Sequence, residues 1–275
     1  MGSAESPDVC RDFDSLAQQA EWARRGADRK NGSSDGDGFA FDEVRTHTLD
    51  EALALAITGD AALSLRVQAL ADRIVAKLAP SIVSDDVTYV DSPGVGFDVS
   101  LVCAGVPECW LDLTSERYSD RGPVWLRASI GVSGRIGADL LERRGSYIAA
   151  VVALLQRQGR PVRLDVDYLG RGREGKFYRS AVRLCDYGQP VNTDVLAYVL
   201  AHPSYLRRVV FAVLEGESSE VRGWIGAHRH AGYGTPTSTA MHTFPCVVSS
   251  DDKSVDPWRD DESAEREITR LLAVV

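Results

Sequence analysis

The chain has no apolar stretch near the roughly 20 residues that a membrane-spanning helix needs; its longest apolar helical run covers only residues 147–155. Nor does its start, MGSAESPDVCRDFD, have the basic-then-apolar layout of a secretory signal. Cysteine is scarce: residues 10, 103, 109, 185 and 246 make an odd set without Cys-x-x-Cys spacing, which argues against a disulfide framework and a zinc ribbon. A cytoplasmic protein is the expectation. In a reducing cytosol Cys103 and Cys109, which flank a turn, stay thiols. Positive charge is short as well. Against 40 Asp and Glu there are 31 Lys and Arg, a formal net charge of −9. That balance works against attraction to phosphate backbones and anionic lipid, so nucleic acid ranks last among partners and no membrane is expected.

What the chain does have is a globular composition, 44% hydrophobic and 26% charged over 275 residues, enough for one main domain with appendages. Residues 1–45 read as an N-terminal arm, with a short helix over 14–25 and then RKNGSSDGDG. That run offers too little apolar surface to offset its ordering entropy unless a partner holds it. The core domain is expected over 46–215. In THTLDEALALAITG, Thr48 and Glu51 form a capping box ahead of Leu49, Leu53 and Ile57. Leu63, Val67, Leu70, Ile74 and Leu78 place a second helix over 61–79, ended by Pro80. The period then becomes two. Val95, Phe97, Val99, Leu101 and Cys103 alternate as a strand, and CWLDL completes an antiparallel hairpin.

Val124, Leu126, Ala128, Ile130 and Val132 alternate as the next strand, 145–158 presents Ile148, Val151, Leu154 and Leu155 on a helical face, and Val162, Leu164 and Val166 alternate again. Strand, helical crossover and strand make a βαβ unit with two parallel strands. A further strand follows over 178–185, then a helix pair whose second member starts at Pro203. Residues 216–275 read as a Gly-rich loop region, with a short strand at 246–248 and a terminal amphipathic helix. The fold class is α/β: a mixed sheet with a βαβ unit and flanking helices in a single main domain.

Ligands in open α/β sheets gather beyond the C-terminal ends of parallel strands. Here those ends carry Ser129, Ser133 and Arg135 after one strand, and Asp165, Asp167 and Arg171 after the other. The run Ser129-Ile130-Gly131-Val132-Ser133, with the helix and strand behind it, resembles a von Willebrand factor A-like domain, in which a strand ends in Asp-x-Ser-x-Ser. Ser stands at the Asp position and Gly at the middle Ser, so the resemblance implies a fold without the metal. The patterns THTLDEALALAITG, GFDVSLVCAGVPECWLDL, RRGSYIAAVVALLQRQGRPVRLDV and LAYVLAHPSYLRRVVFAVLE resemble a family of uncharacterised proteins of actinobacteria and their phages, over residues 46–215. That resemblance implies no activity. It implies a phage or mobile-element origin, and then a host cytoplasm.

His228 and His230, with His242 and Cys246 downstream, have zinc-ligand types, but only His242-x3-Cys246 has a loosely suitable spacing. Trp224, His228, His230 and Tyr233 fit a recognition loop better. His202 before Pro203 reads as a hydrogen-bonded helix-end residue. Arg171, Arg173 and Lys176 sit in GRGREGK, which lacks the Walker spacing and leads into a strand. No nucleophile elbow is present. The leading reading is therefore a non-enzymatic protein-binding or scaffold module, including self-assembly, with no cofactor and no metal. The alternative is a metal-assisted hydrolase or nucleotide-binding enzyme using Asp165, Asp167, Ser129 and Ser133. A third is a nucleic-acid accessory protein using Arg171, Lys176, Arg207 and Arg208.

Overall fold

The computed structural model describes residues 7–26, 33–35, 45–82, 87–90, 96–97, 99–107, 109–113, 122–133, 136–157, 159–189, 191–228, 232–237, 239, 242–244 and 260–274. They form a mixed α/β fold. The main sheet has the order β1 (Val9–Phe13), β7 (Phe177–Cys185), β6 (Val162–Arg171), β5 (Val124–Ser129), and β8 (Thr235–Pro236) also pairs with β6. β5 runs parallel to β6, bridged by helix α5 (Ala138–Arg157), so the expected βαβ unit is present. β7 is antiparallel to β6, and β1 parallel to β7. Among the described residues no single helix is long and apolar enough to cross a membrane.

Leu126, Ala128, Leu164, Val166 and Val182 face a helical layer and are buried with Tyr147, Ile148, Val151 and Leu155 of α5. Helices α2 (Leu49–Thr58), α3 (Ala61–Ile82) and α6 (Thr193–Ala201) pack in this layer. The capping box at Thr48 forms, with Glu51 N donating to Thr48 Oγ1 at 3.1 Å and Glu51 Oε2 accepting from His47 N at 2.7 Å. Gly145 lets α5 and α6 approach closely, since a Cβ there would lie 2.6 Å from Ala201 Cβ. After α6 the chain breaks at His202, then forms a π-helical segment, Tyr205–Val210, that runs into α7 (Phe211–Glu215).

Three expectations are corrected. α3 continues through Pro80 to Ile82. The strand expected over 95–103 is only Gly96–Phe97 (β3) in a small antiparallel sheet with β2 (Val87–Val90) and β4 (Trp110–Leu113), and Val99–Cys103 is a helix, α4. Five residues are too few for alternation to exclude a helical turn. Within the region read as loop, Ser219–Ile225 forms helix α8, capped by Ser218 Oγ accepting from Val221 N at 3.3 Å. The strand expected at 246–248 lies outside the described residues.

Within residues 1–45, β1 and α1 (Leu16–Gly26) belong to the main fold, and Ser33 and Ser34 are buried. Glu215 supplies the reason. Its Oε1 accepts from Ser33 N at 2.9 Å and Ser34 N at 3.0 Å, its Oε2 accepts from Ser34 Oγ, and Tyr233 OH also donates to it. Two turns earlier, Arg208 donates to Ser34 O at 3.0 Å, Thr46 O at 2.9 Å and Thr46 Oγ1 at 2.9 Å. One helical run thus holds Ser33, Ser34 and Thr46 through two buried groups of opposite charge. Replacing Glu215 by Ala would leave several buried donors unmet, a loss on the order of 3 kcal/mol. The check is urea denaturation together with faster amide exchange at Ser33 and Ser34; unchanged exchange at those amides would contradict the clamp.

Candidate functional site

Side chains on the strands alternate between two faces. The face opposite the helical layer receives Trp125, Arg127 and Ser129 from β5, Arg163, Asp165, Asp167 and Arg171 from β6, and Arg179 and Arg183 from β7. Registry sets Trp125 beside Arg163, Arg127 beside Asp165, and Ser129 beside Asp167, while Arg183 lies opposite Asp165 on the other side.

Two carboxylates organise this face. Asp165 Oδ2 accepts from Trp125 Nε1 at 2.8 Å and from Arg163 Nη2 at 2.8 Å, and Oδ1 accepts from Arg163 Nε at 3.1 Å; Arg183 Nε stands at 4.0 Å. The fork holds the Arg163 guanidinium above its ordinary pKa, chiefly through the hydrogen bond to Asp165. Asp167 Oδ1 takes His242 Nε2 at 2.7 Å, and Oδ2 lies 3.5 Å from both Arg127 Nη2 and Arg179 Nε. Asp167 is only 3% exposed. Arg127 and Arg163 both lie over the Trp125 ring, 5.4 Å and 4.8 Å from its centroid. That ring is 48% exposed, and Tyr187, just past the end of β7, is 42% exposed.

Asp165 and Asp167 were placed by sequence beyond a strand end, yet β6 continues to Arg171 and both are buried within it. The reason is that the strand's outer edge is taken over where β5 stops: Thr237 N donates to Leu169 O at 2.9 Å and β8 pairs with Gly170 and Arg171. Ser129 does meet Asp167 in register at the end of β5. Its Oγ is buried without a hydrogen-bond partner. Ser133 caps the turn that follows, with its carbonyl accepting from Ile136 N at 3.0 Å. Arg144 of α5 closes the corner by donating to Ser129 O and Phe244 O. Arg171 is exposed beside the Phe177 ring in a hairpin turn that leads into β7, so the segment is no phosphate loop. Arg135 and His230 lie outside the described residues.

The recognition-loop set is not brought together at the surface. Trp224 packs in α8 against Gly172, where a Cβ would come within 2.5 Å of its ring, and Tyr233 is buried in a stack on Phe211 with centroids 4.0 Å apart. His228 is exposed. The cluster at Trp125, Arg163 and Arg183 was missed because alternate charged positions on separate strands carry no signal until the strands are known to be neighbours.

Two histidine arrangements resemble catalytic pairs, and proton accounting decides both. Thr239 N donates to His242 Nδ1 at 2.9 Å, so the neutral ring carries its proton on Nε2 and gives it to Asp167. Neither nitrogen is left for a base or a zinc ion, and among the described residues no group of three or more His, Cys, Asp or Glu could hold a metal. At the end of α6, His202 Nδ1 accepts from Ser204 N at 3.2 Å, so the 2.8 Å contact with Ser204 Oγ is a bond that Ser204 donates. Ser204 is fully buried, which suits a helix-end cap and not a nucleophile.

Burial lowers the His202 pKa to about 4 from 6.5. The unfolded chain therefore takes up a proton first as pH falls, so stability present above 6.5 is lost progressively down to about 4. The full loss is on the order of 3 kcal/mol. Denaturation midpoints measured across that range should fall less in His202→Asn than in the natural chain; parallel profiles would contradict the assignment. Asp167→Ala, which leaves Arg127, Arg179 and His242 facing each other, should cost roughly 3 kcal/mol or more, read from thermal unfolding.

No curated protein and no solved structure matches the chain. A family model, a domain of unknown function, matches residues 5–274 and so takes in β1, the charged sheet face and the terminal helix α9 (Asp261–Val274) together. The chain belongs to the DUF7192 family.

Proposed function

We propose that this chain is a non-enzymatic protein-binding module, and that its contact surface is the charged face of the main sheet. The observation that carries the reading is a half-exposed Trp125 held in place by its Nε1 bond to Asp165 and flanked by Arg127 and Arg163, with exposed Tyr187 at the same end of the sheet. Trp, Tyr and Arg are the residue types that dominate binding hot spots. A ring already fixed in one orientation loses little entropy when a partner covers it.

The hydrolase alternative has less support, because both nitrogens of His242 are engaged, His202 Nδ1 accepts from buried Ser204, and the two aspartates are occupied by cations. The nucleic-acid alternative would use the same Trp and Arg residues. Buried Asp165 and Asp167 beneath them, and the net charge of −9, weigh against it. A cytoplasmic setting, a phage or mobile-element origin and a von Willebrand factor A-like likeness remain part of the proposal, and gene neighbourhood tests the origin.

Affinity capture with the natural chain and with Trp125→Ala as baits tests the function. Proteins retained by the first and lost by the second should bind the purified chain in isothermal titration, with a loss of about 2 kcal/mol or more in the variant. Identical capture by both baits, or turnover of a small substrate without any macromolecular partner, would overturn it.

A further inference from the structure

β5 ends the path of the main sheet, and its outer edge is covered only in part. In a parallel pair alternate residues of a strand turn their main-chain groups to the neighbour, and the residues between turn theirs away. Val124 N donates to Pro161 O at 2.8 Å and Ile130 N to Asp167 O at 2.8 Å, so the even-numbered positions face β6. The odd-numbered positions face outward. There Phe244 N donates to Arg127 O at 3.1 Å and accepts at its carbonyl from Ser129 N at 2.9 Å, which seats Phe244 beside Ala128 as a single parallel rung. Thr243 Oγ1 accepts from Arg127 N at 3.3 Å. The covering segment then leaves the edge, because His242 N turns back to Thr239 O at 3.1 Å while its ring goes to Asp167. Next along that edge, Trp125 N–H and C=O and the Pro123 carbonyl meet no hydrogen-bond partner among the described residues. Pro123 has no N–H of its own, so the open length ends there.

We infer that the partner adds to β5 as a short extended strand: two of its amides, two residues apart, donate to Pro123 O and Trp125 O, one of its carbonyls accepts from Trp125 N–H, and one of its side chains packs against the exposed Trp125 ring. This rests on the protein-binding reading. The bond pattern is the same whichever way the added strand runs. Strand addition to an open edge draws affinity from main-chain bonds and selectivity from alternate side chains. Phe244 already uses this edge in that manner, four residues along from Val124. The side chain set beside the ring is apolar, β-branched or aromatic, the types that pair well with an aromatic residue across neighbouring strands. A ligand that covered the ring alone would leave the main-chain groups to water.

The test uses the full chain and random peptides displayed on phage, selected on it and then synthesised. In the free chain, hydrogen exchange read by NMR should be fast at the Trp125 amide and slow at Leu126, which faces β6. A selected peptide at saturation should slow Trp125 exchange by at least about tenfold. Methylating the peptide's amides one at a time should weaken binding by about tenfold at alternate positions and little at those between, and these changes leave the protein's own fold untouched. Peptides that bind without slowing Trp125 exchange, or that tolerate methylation equally at every position, overturn the inference. So does a Trp125 amide already protected in the dilute free chain, or protection that appears only as sedimentation shows a second copy covering the edge. Selection that yields no peptide, with a single-stranded oligonucleotide bound instead, overturns it as well. If Trp125→Ala still abolishes protein capture while the exchange and methylation patterns fail, strand addition falls and protein binding stands.

Discussion

Asp165 and Asp167 occupy successive same-face positions of the central strand, almost without exposure, and a carboxylate removed from water has to be met by cations or donors. That requirement shapes one whole side of the sheet. It draws Arg163 and Arg183 to one carboxylate and Arg127 and Arg179 to the other. It fixes the Trp125 indole through its N–H and brings His242 over the sheet from the 242–244 segment, whose Phe244 pairs with Ala128 of β5. The half-exposed Trp125 ring is thereby tied to a buried carboxylate.

The opposite face obeys the ordinary rule of apolar burial, yet it too contains a charged pair separated along one helical run. Arg208 and Glu215 are both buried, and neither neutralises the other directly; each instead satisfies backbone groups of the chain near residues 33–46. Desolvation lowers the Arg208 pKa from its usual value although Nε, Nη1 and Nη2 each donate a hydrogen bond. Tyr233 joins the same network, its OH on Glu215 and its carbonyl accepting from Tyr168 OH at 2.6 Å. Ser33 and Ser34 of the Gly- and Ser-rich stretch are thereby held by buried polar groups of the core.

Periodicity carried the βαβ unit, because alternation at 124–132 and 162–166 and the helical face between them are local properties of the chain. The strand at 178–185 and the helix break at Pro203 were readable for the same reason. Positions such as 99–103 and 219–225 were not, since a single turn of helix contains too few residues to separate the two periods. Asp165 and Asp167 were read as lying past a strand end and lie within β6. Trp125, Arg163 and Arg183 were not singled out, and Trp224 and Tyr233 were taken for recognition-loop residues although they fill gaps beside Gly172 and Phe211.

By itself the sequence determined the long periodic elements, that two strands flank a crossover helix, and that Asp165 and Asp167 recur at alternate strand positions; each follows from chemistry within a few residues. Only the tertiary structure decided that β7 lies antiparallel beside β6, and hence that Arg183 meets Asp165 and Arg179 meets Asp167. It also decided that residue 242 reaches back 75 positions to close the same face. Those pairings depend on which edges the sheet leaves available once its core is buried, and strand order is a property of the assembled sheet that no local pattern encodes.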